Sequence, residues 1–142
     1  ELDTIRDHHL VQTGDLIYRS RGNVTTSAIL QNDPGRAVVA APLLRIRISK
    51  PDLILPEYLN WYLNQRPAQL FLNSRARGSV QKMIGKEAFA DLKVTVPDLG
   101  RQKTIVELVF LSAREQNLIY KLAAKRKEYI STRLMQISRG ES

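Results

Sequence analysis

Apolar and polar positions divide the chain into a β-rich first part and a helical second part. Thr13 and Gly14 form a turn signal, and the apolar run from Leu16 and Ile17 predicts a strand in "TGDLIY". "RSRGN" at 19–23 reads as a loop, "VTTSAIL" is β-rich, and "NDPGR" at 32–36 is a turn. In "AVVAAPLLRIRIS", Val38 and Val39 fit a buried strand. From Leu44 the alternation is strict, with Leu44, Ile46 and Ile48 on one face and Arg45, Arg47 and Ser49 on the other. Pro42 lacks an N–H, so it separates two strands or marks a sheet edge.

Helical spacing begins at Pro56. Pro at a first helical position and Glu57 in the first turn open "PEYLNWYLNQ", and Tyr58, Leu59, Tyr62 and Leu63 recur at helical intervals. Pro67 predicts a break and a second short helix through Leu72. "IGKEAFADL" can hold another short helix, and "LKVTVP" reads as a strand closed by Pro97.

From 101 to about 138 there is neither Pro nor Gly. Ile105, Leu108, Val109, Ile119, Leu122, Ala123, Tyr129, Ile130, Leu134 and Ile137 keep to one broad stripe, weakened between 112 and 117. Such a helix is roughly 55 Å long, whereas a domain of about 100 residues has a radius of gyration of about 13 Å. Much of the helix is expected to extend beyond its domain, and a second copy is the economical partner for the stripe. Arg126 and Arg133 fall where a strict heptad seam wants apolar residues, which favours an antiparallel or irregular pair. The competing arrangement folds the helix back over its own domain with a break near Ser112. The expected fold is α+β: residues 1–100 form a small mixed or antiparallel sheet with short helices, and residues 101–142 a long helix in an antiparallel coiled coil.

Composition narrows the function. The formal charge is +8 over 142 residues, which suits a polyanionic partner. Hydrophobic residues at 43% argue against wholesale disorder. The chain has no cysteine, which removes disulfides, thiolate zinc sites and a Cys nucleophile. No apolar run approaches the roughly 20 residues needed to span a bilayer, and no signal peptide is visible. The first residues, "ELDTIRDHH", lack an initiating Met, as in a processed chain or a piece of a longer protein.

Several segments together resemble one half of the specificity subunit of type I restriction–modification systems. They are "PEYLNWYLNQ", "RGSVQKMI", "FADLKVTVPDLGRQKTIV" and the early "GDLIYRSRG". The shared pattern is a Gly-Ser loop (Gly78-Ser79), a strand ending at Pro97, and a Gln-containing helix start at Gln102. The resemblance implies a target recognition domain that reads double-stranded DNA, followed by a spacer helix, in a cytoplasmic complex. It also implies methyltransferase subunits as partners, to which S-adenosylmethionine and Mg²⁺-ATP would belong; no cofactor is expected on this chain. The family plan has two recognition domains and two antiparallel helices. This sequence has one of each, so it is half of a cut protein or a half-size subunit that restores the plan as a homodimer.

Three basic clusters are candidate DNA contacts: Arg19, Ser20, Arg21, Gly22 and Asn23; Arg75, Arg77, Gly78, Ser79 and Lys82; and Arg45 with Arg47. Arg and Asn can bond base edges bidentately, and Gly admits a phosphate close to the backbone. Solvated surface is the ordinary alternative for each. Arg114, Lys121, Lys125, Arg126 and Lys127 on the long helix could meet DNA, a methyltransferase subunit, or only water. Ile105, Leu108, Ile119, Leu122, Tyr129, Ile130 and Leu134 are the candidate dimer or partner positions.

Enzymatic signals are weak. His8-His9 has no further ligands at metal spacing. Pro51-Asp52 and Asp91-Leu92-Lys93 spell a loose Mg²⁺-nuclease pattern, which needs its carboxylates to converge. A non-enzymatic DNA-recognition subunit is the leading reading. A structural protein with a helical docking tail comes second and a nuclease third.

Overall fold

A computed structural model describes residues 10–22, 25–78 and 82–140. The elements run β1 (Leu16–Arg19), β2 (Thr26–Ile29), β3 (Leu43–Ile46), α1 (Pro56–Leu63), α2 (Arg66–Ser74), α3 (Lys86–Ala90) and α4 (Leu99–Ser138). Two compact units divide the chain, Glu1–Val106 and Glu107–Ser142.

The first unit is built on an antiparallel sheet in the order β2-β1-β3. Leu16 faces Ile29 and Ile46, and Arg19 faces Thr26 and Leu43. Strand alternation sends Leu16 and Tyr18 into the core, where neither has any exposure. Leu63, Leu72, Ile84 and Ala88 complete that core, and the Phe89 ring meets Tyr18 edge-on at 4.8 Å. Pro42 immediately precedes β3, an edge strand, as its missing donor requires.

The helical hairpin breaks slightly earlier than the sequence suggests. Pro56 opens α1 and Pro67 lies in the first turn of α2, where an N–H has no intrahelical partner to lose. Asn64, capping α1, accepts from the Ser27 N–H and donates to the Ser27 carbonyl, both at 2.9 Å. It thereby acts as an extra rung on β2.

Two expected strands are absent. Val38 makes only an isolated bridge to Leu10 and is 45% exposed; Val39 is half-buried. The turn at 32–36 and Pro42 leave too short a run between them for a ladder. Residues 92–97 join no sheet, although Leu92 and Val94 are less exposed than Lys93 and Thr95. The Tyr58 hydroxyl donates to the Thr95 carbonyl at 2.6 Å and the Tyr62 hydroxyl to the Lys93 carbonyl at 3.1 Å. Side chains of α1 thus take the place of a neighbouring strand. Burial and the nearby Tyr62 push the Tyr58 hydroxyl's pKa up, keeping it protonated to donate.

Asp98 caps α4, its Oδ1 accepting from the Arg101 N–H at 3.0 Å. Gln102 is fully buried. Its Oε1 accepts from the Leu55 N–H, and its Nε2 donates to the Leu53 and Pro97 carbonyls, at 2.7–2.9 Å. That one amide ties the first turn of α4 to two loops of the first unit.

In the second unit α4 continues unbroken through Ser112. Every residue from Glu107 to Met135 is exposed, including Leu108, Ile119, Leu122, Tyr129, Ile130 and Leu134; Ile105, in the first unit, is half-buried. Among the described residues no helix is long and apolar enough to cross a membrane.

Candidate nucleic-acid interface

The end of β1 is held on both sides. Ser20, 2% exposed, donates its N–H and its hydroxyl to the Pro42 carbonyl, at 2.9 and 2.6 Å. Its own carbonyl accepts from the Ile84 N–H at 2.9 Å. This lock fixes where the next residue emerges. Arg21 bridges to Met83, and Met83 exchanges both backbone hydrogen bonds with Arg77, at 3.0 and 2.8 Å.

Two clusters far apart in sequence therefore meet around Met83. Arg19, Arg21 and Gly22 come from the first, and Arg77, Gly78 and Lys82 from the second; all six are exposed. Arg19 Nε donates to the Arg21 carbonyl at 3.2 Å, and Arg21 Nη2 lies 3.7 Å from Met83 Sδ. Gly22 and Gly78 have φ of 115° and 123°, a region that L side chains rarely adopt. A Cβ on Gly22 would also come within 3.2 Å of Arg19 Nη2. Asn23 and Ser79, also members of these clusters, lie outside the described residues, as do His8 and His9.

Arg75 is differently committed. Its guanidinium lies 5.0 Å from the centre of the Phe71 ring and pairs with Asp91. Arg75, Arg77, Glu87 and Asp91 all line one cavity of about 300 Å³. Asp91 offsets the Arg75 guanidinium, so Arg75 attracts a phosphate less than an unpaired arginine does.

Arg45 and Arg47 fall at the opposite end of β1. Arg47 Nε and Nη2 each donate to one oxygen of Asp15 at 2.7 Å, and Arg45 Nη1 donates to the Leu10 carbonyl. Asp15 is 1% exposed and also accepts from the Gln12 N–H at 2.9 Å. Burial opposes its ionisation, but the hydrogen bonds from Arg47 and Gln12 outweigh that and hold its pKa below the usual carboxylate range. From Asp15 to Arg21 the strand advances on the order of 20 Å. The third cluster is therefore not joined to the other two.

The nuclease pattern is not assembled as a pair of free carboxylates. Asp52 sits in the turn after β3, while Asp91 is held by Arg75. Among the described residues no three of His, Asp, Glu and Cys gather where they could hold a metal ion.

Residues 6–128 match the family model for the Type I restriction modification DNA specificity domain. The chain belongs to that family. The match covers the sheet, the short helices and α4 as far as Glu128. No curated protein matches the chain. In this specificity domain sequence reasoning misses Met83, and it groups Ser20 with the candidate DNA contacts although Ser20 is buried and holds the Pro42 carbonyl. A methionine in a basic loop carries no pattern of its own. Gln102 is visible only as part of the family resemblance.

Proposed function

We propose that this specificity domain is a non-catalytic DNA reader that recognises one half of a bipartite site. On this reading two copies pair antiparallel through α4, and methyltransferase subunits dock on the paired helices. The observation that carries the reading is the meeting of two basic, glycine-containing loops around Met83. Exposed arginines there can bond guanine edges, and the positive-φ glycines leave room for the backbone of DNA to come close. Phosphate contacts would set register while one or two arginines discriminate bases. The exposed apolar positions of α4 support the pairing, since a long helix is stabilised mainly by burying such a face. Pairing two readers raises the effective concentration of the second on one duplex.

Binding of the full chain to duplexes of selected and scrambled sequence, measured across salt, tests the reading. Arg21→Ala or Arg77→Ala should cost about 1–3 kcal/mol on the selected sequence if the side chain reads a base. A phosphate contact would instead weaken both duplexes alike and make the salt slope shallower by about 1. Unchanged binding by both variants contradicts the assignment.

A further inference from the structure

The excess positive charge is concentrated on one element. Residues 99–138 hold eight Lys and Arg against three Glu, a net +5, whereas residues 1–98 hold thirteen against ten, a net +3. Within α4 half of the basic side chains share one line, while Arg101, Arg126, Lys127 and Arg133 fall on or beside the apolar stripe. Lys103, Arg114, Lys121 and Lys125 follow at intervals of 11, 7 and 4 residues, each close to a whole number of turns. They fall on the face opposite the stripe of Ile105, Ile119, Ile130 and Ile137. All four are exposed, and Lys103, Arg114 and Lys121 have no ion pair among the described residues. Glu107 and Glu128 share that face; Glu128 lies 3.3 Å from Lys125 Nζ.

From this line we infer that α4 carries a second DNA-contact surface, which holds phosphates of the duplex outside the bases read by the sheet domain. The inference rests on the DNA-reading function proposed above. Duplex DNA is the occupant that the charge and the length favour together. From Lys103 to Lys125 the line is about 33 Å long at 1.5 Å per residue. A duplex offers one phosphate charge per about 1.7 Å over that whole length. An apolar stripe on one face and a cationic line on the other let the helix pair with a copy and meet a polyanion at once. Two paired helices would repel each other through a combined charge of about +10, and a neighbouring duplex relieves that repulsion.

The test compares the full-length wild type with the triple variant Arg114→Gln/Lys121→Gln/Lys125→Gln. Glutamine is a good helix former, so circular dichroism and self-association should match the wild type. Binding to random 40-bp and 12-bp duplexes is measured across salt concentration. On the longer duplex the slope of log K against log salt should become shallower by about 0.9 for each phosphate that the variant no longer neutralises. The 12-bp duplex should respond less, and the sequence preference should stay unchanged. The charge-conserving variant Arg114→Lys/Lys121→Arg/Lys125→Arg should keep the wild-type slope. A Gln variant with wild-type slope on 40 bp overturns the inference and leaves DNA reading intact, as does one that loses only capture of methyltransferase subunits. If the wild type itself binds neither duplex, DNA reading fails as well.

Discussion

At the scale of single residues, buried polar groups set the geometry of the specificity domain. Ser20 and Gln102 each spend their hydrogen bonds on loops distant in sequence, and so fix where a basic loop emerges and where α4 begins. Arg47 is a candidate DNA contact by sequence, but its guanidinium spans both oxygens of Asp15. Removing it would strand a nearly inaccessible carboxylate. Arg47→Met should therefore lower stability by about 1–3 kcal/mol, since Asp15 keeps the Gln12 N–H but loses both guanidinium hydrogen bonds. The Asp15 pKa is depressed in the folded protein, so its contribution is complete above the unfolded value of about 3.9. It is lost as the pH falls from about 4 through the folded pKa. Urea midpoints measured against pH should drop in that acid window for the wild type. An Asp15→Asn/Arg47→Met double variant should show a weaker drop. Equal acid sensitivity in both proteins would contradict this role for the pair.

At the scale of elements, periodicity is informative where a pattern has one physical cause. The α1–α2 hairpin and the uninterrupted α4 are legible because Pro placement and apolar spacing agree with helix rules over many residues. Period-2 alternation at 92–95 is equally clear, but the segment is tied to α1 by tyrosine hydroxyls on its carbonyls and Leu92 packs on the core, with no ladder. No local pattern separates those two arrangements. Val38 and Val39 form no strand for the opposite reason, a short apolar run confined between turns. The exposed stripe of α4 is the element whose sequence most exceeds the needs of one chain. If it pairs with a second copy, Ile119→Glu/Leu122→Glu should weaken self-association by about tenfold or more, because two charges would be buried in each copy's seam. Sedimentation equilibrium would read that shift; an unchanged association constant would place the pairing elsewhere.

At the scale of the whole molecule, charge and fold divide the work. The sheet unit presents two basic loops around Met83, and α4 carries much of the remaining positive charge. The family and the α+β class are readable from ordered motifs such as Gly78-Ser79, Pro97 and Gln102. Which basic residues gather is not readable, because Arg21 and Arg77 are joined only through a tertiary bridge. By sequence the candidate contacts stand as separate clusters, and the fold sorts them into one joined group and one structural ion pair. The central claim is that two copies of this domain, paired through α4, read two half-sites at a fixed separation. Selection of bound duplexes from a random pool by the purified full-length chain tests it most directly. The account predicts two inverted copies of one short motif separated by a spacer of constant length. Enrichment of a single uninterrupted motif, or of no motif at all, would contradict it.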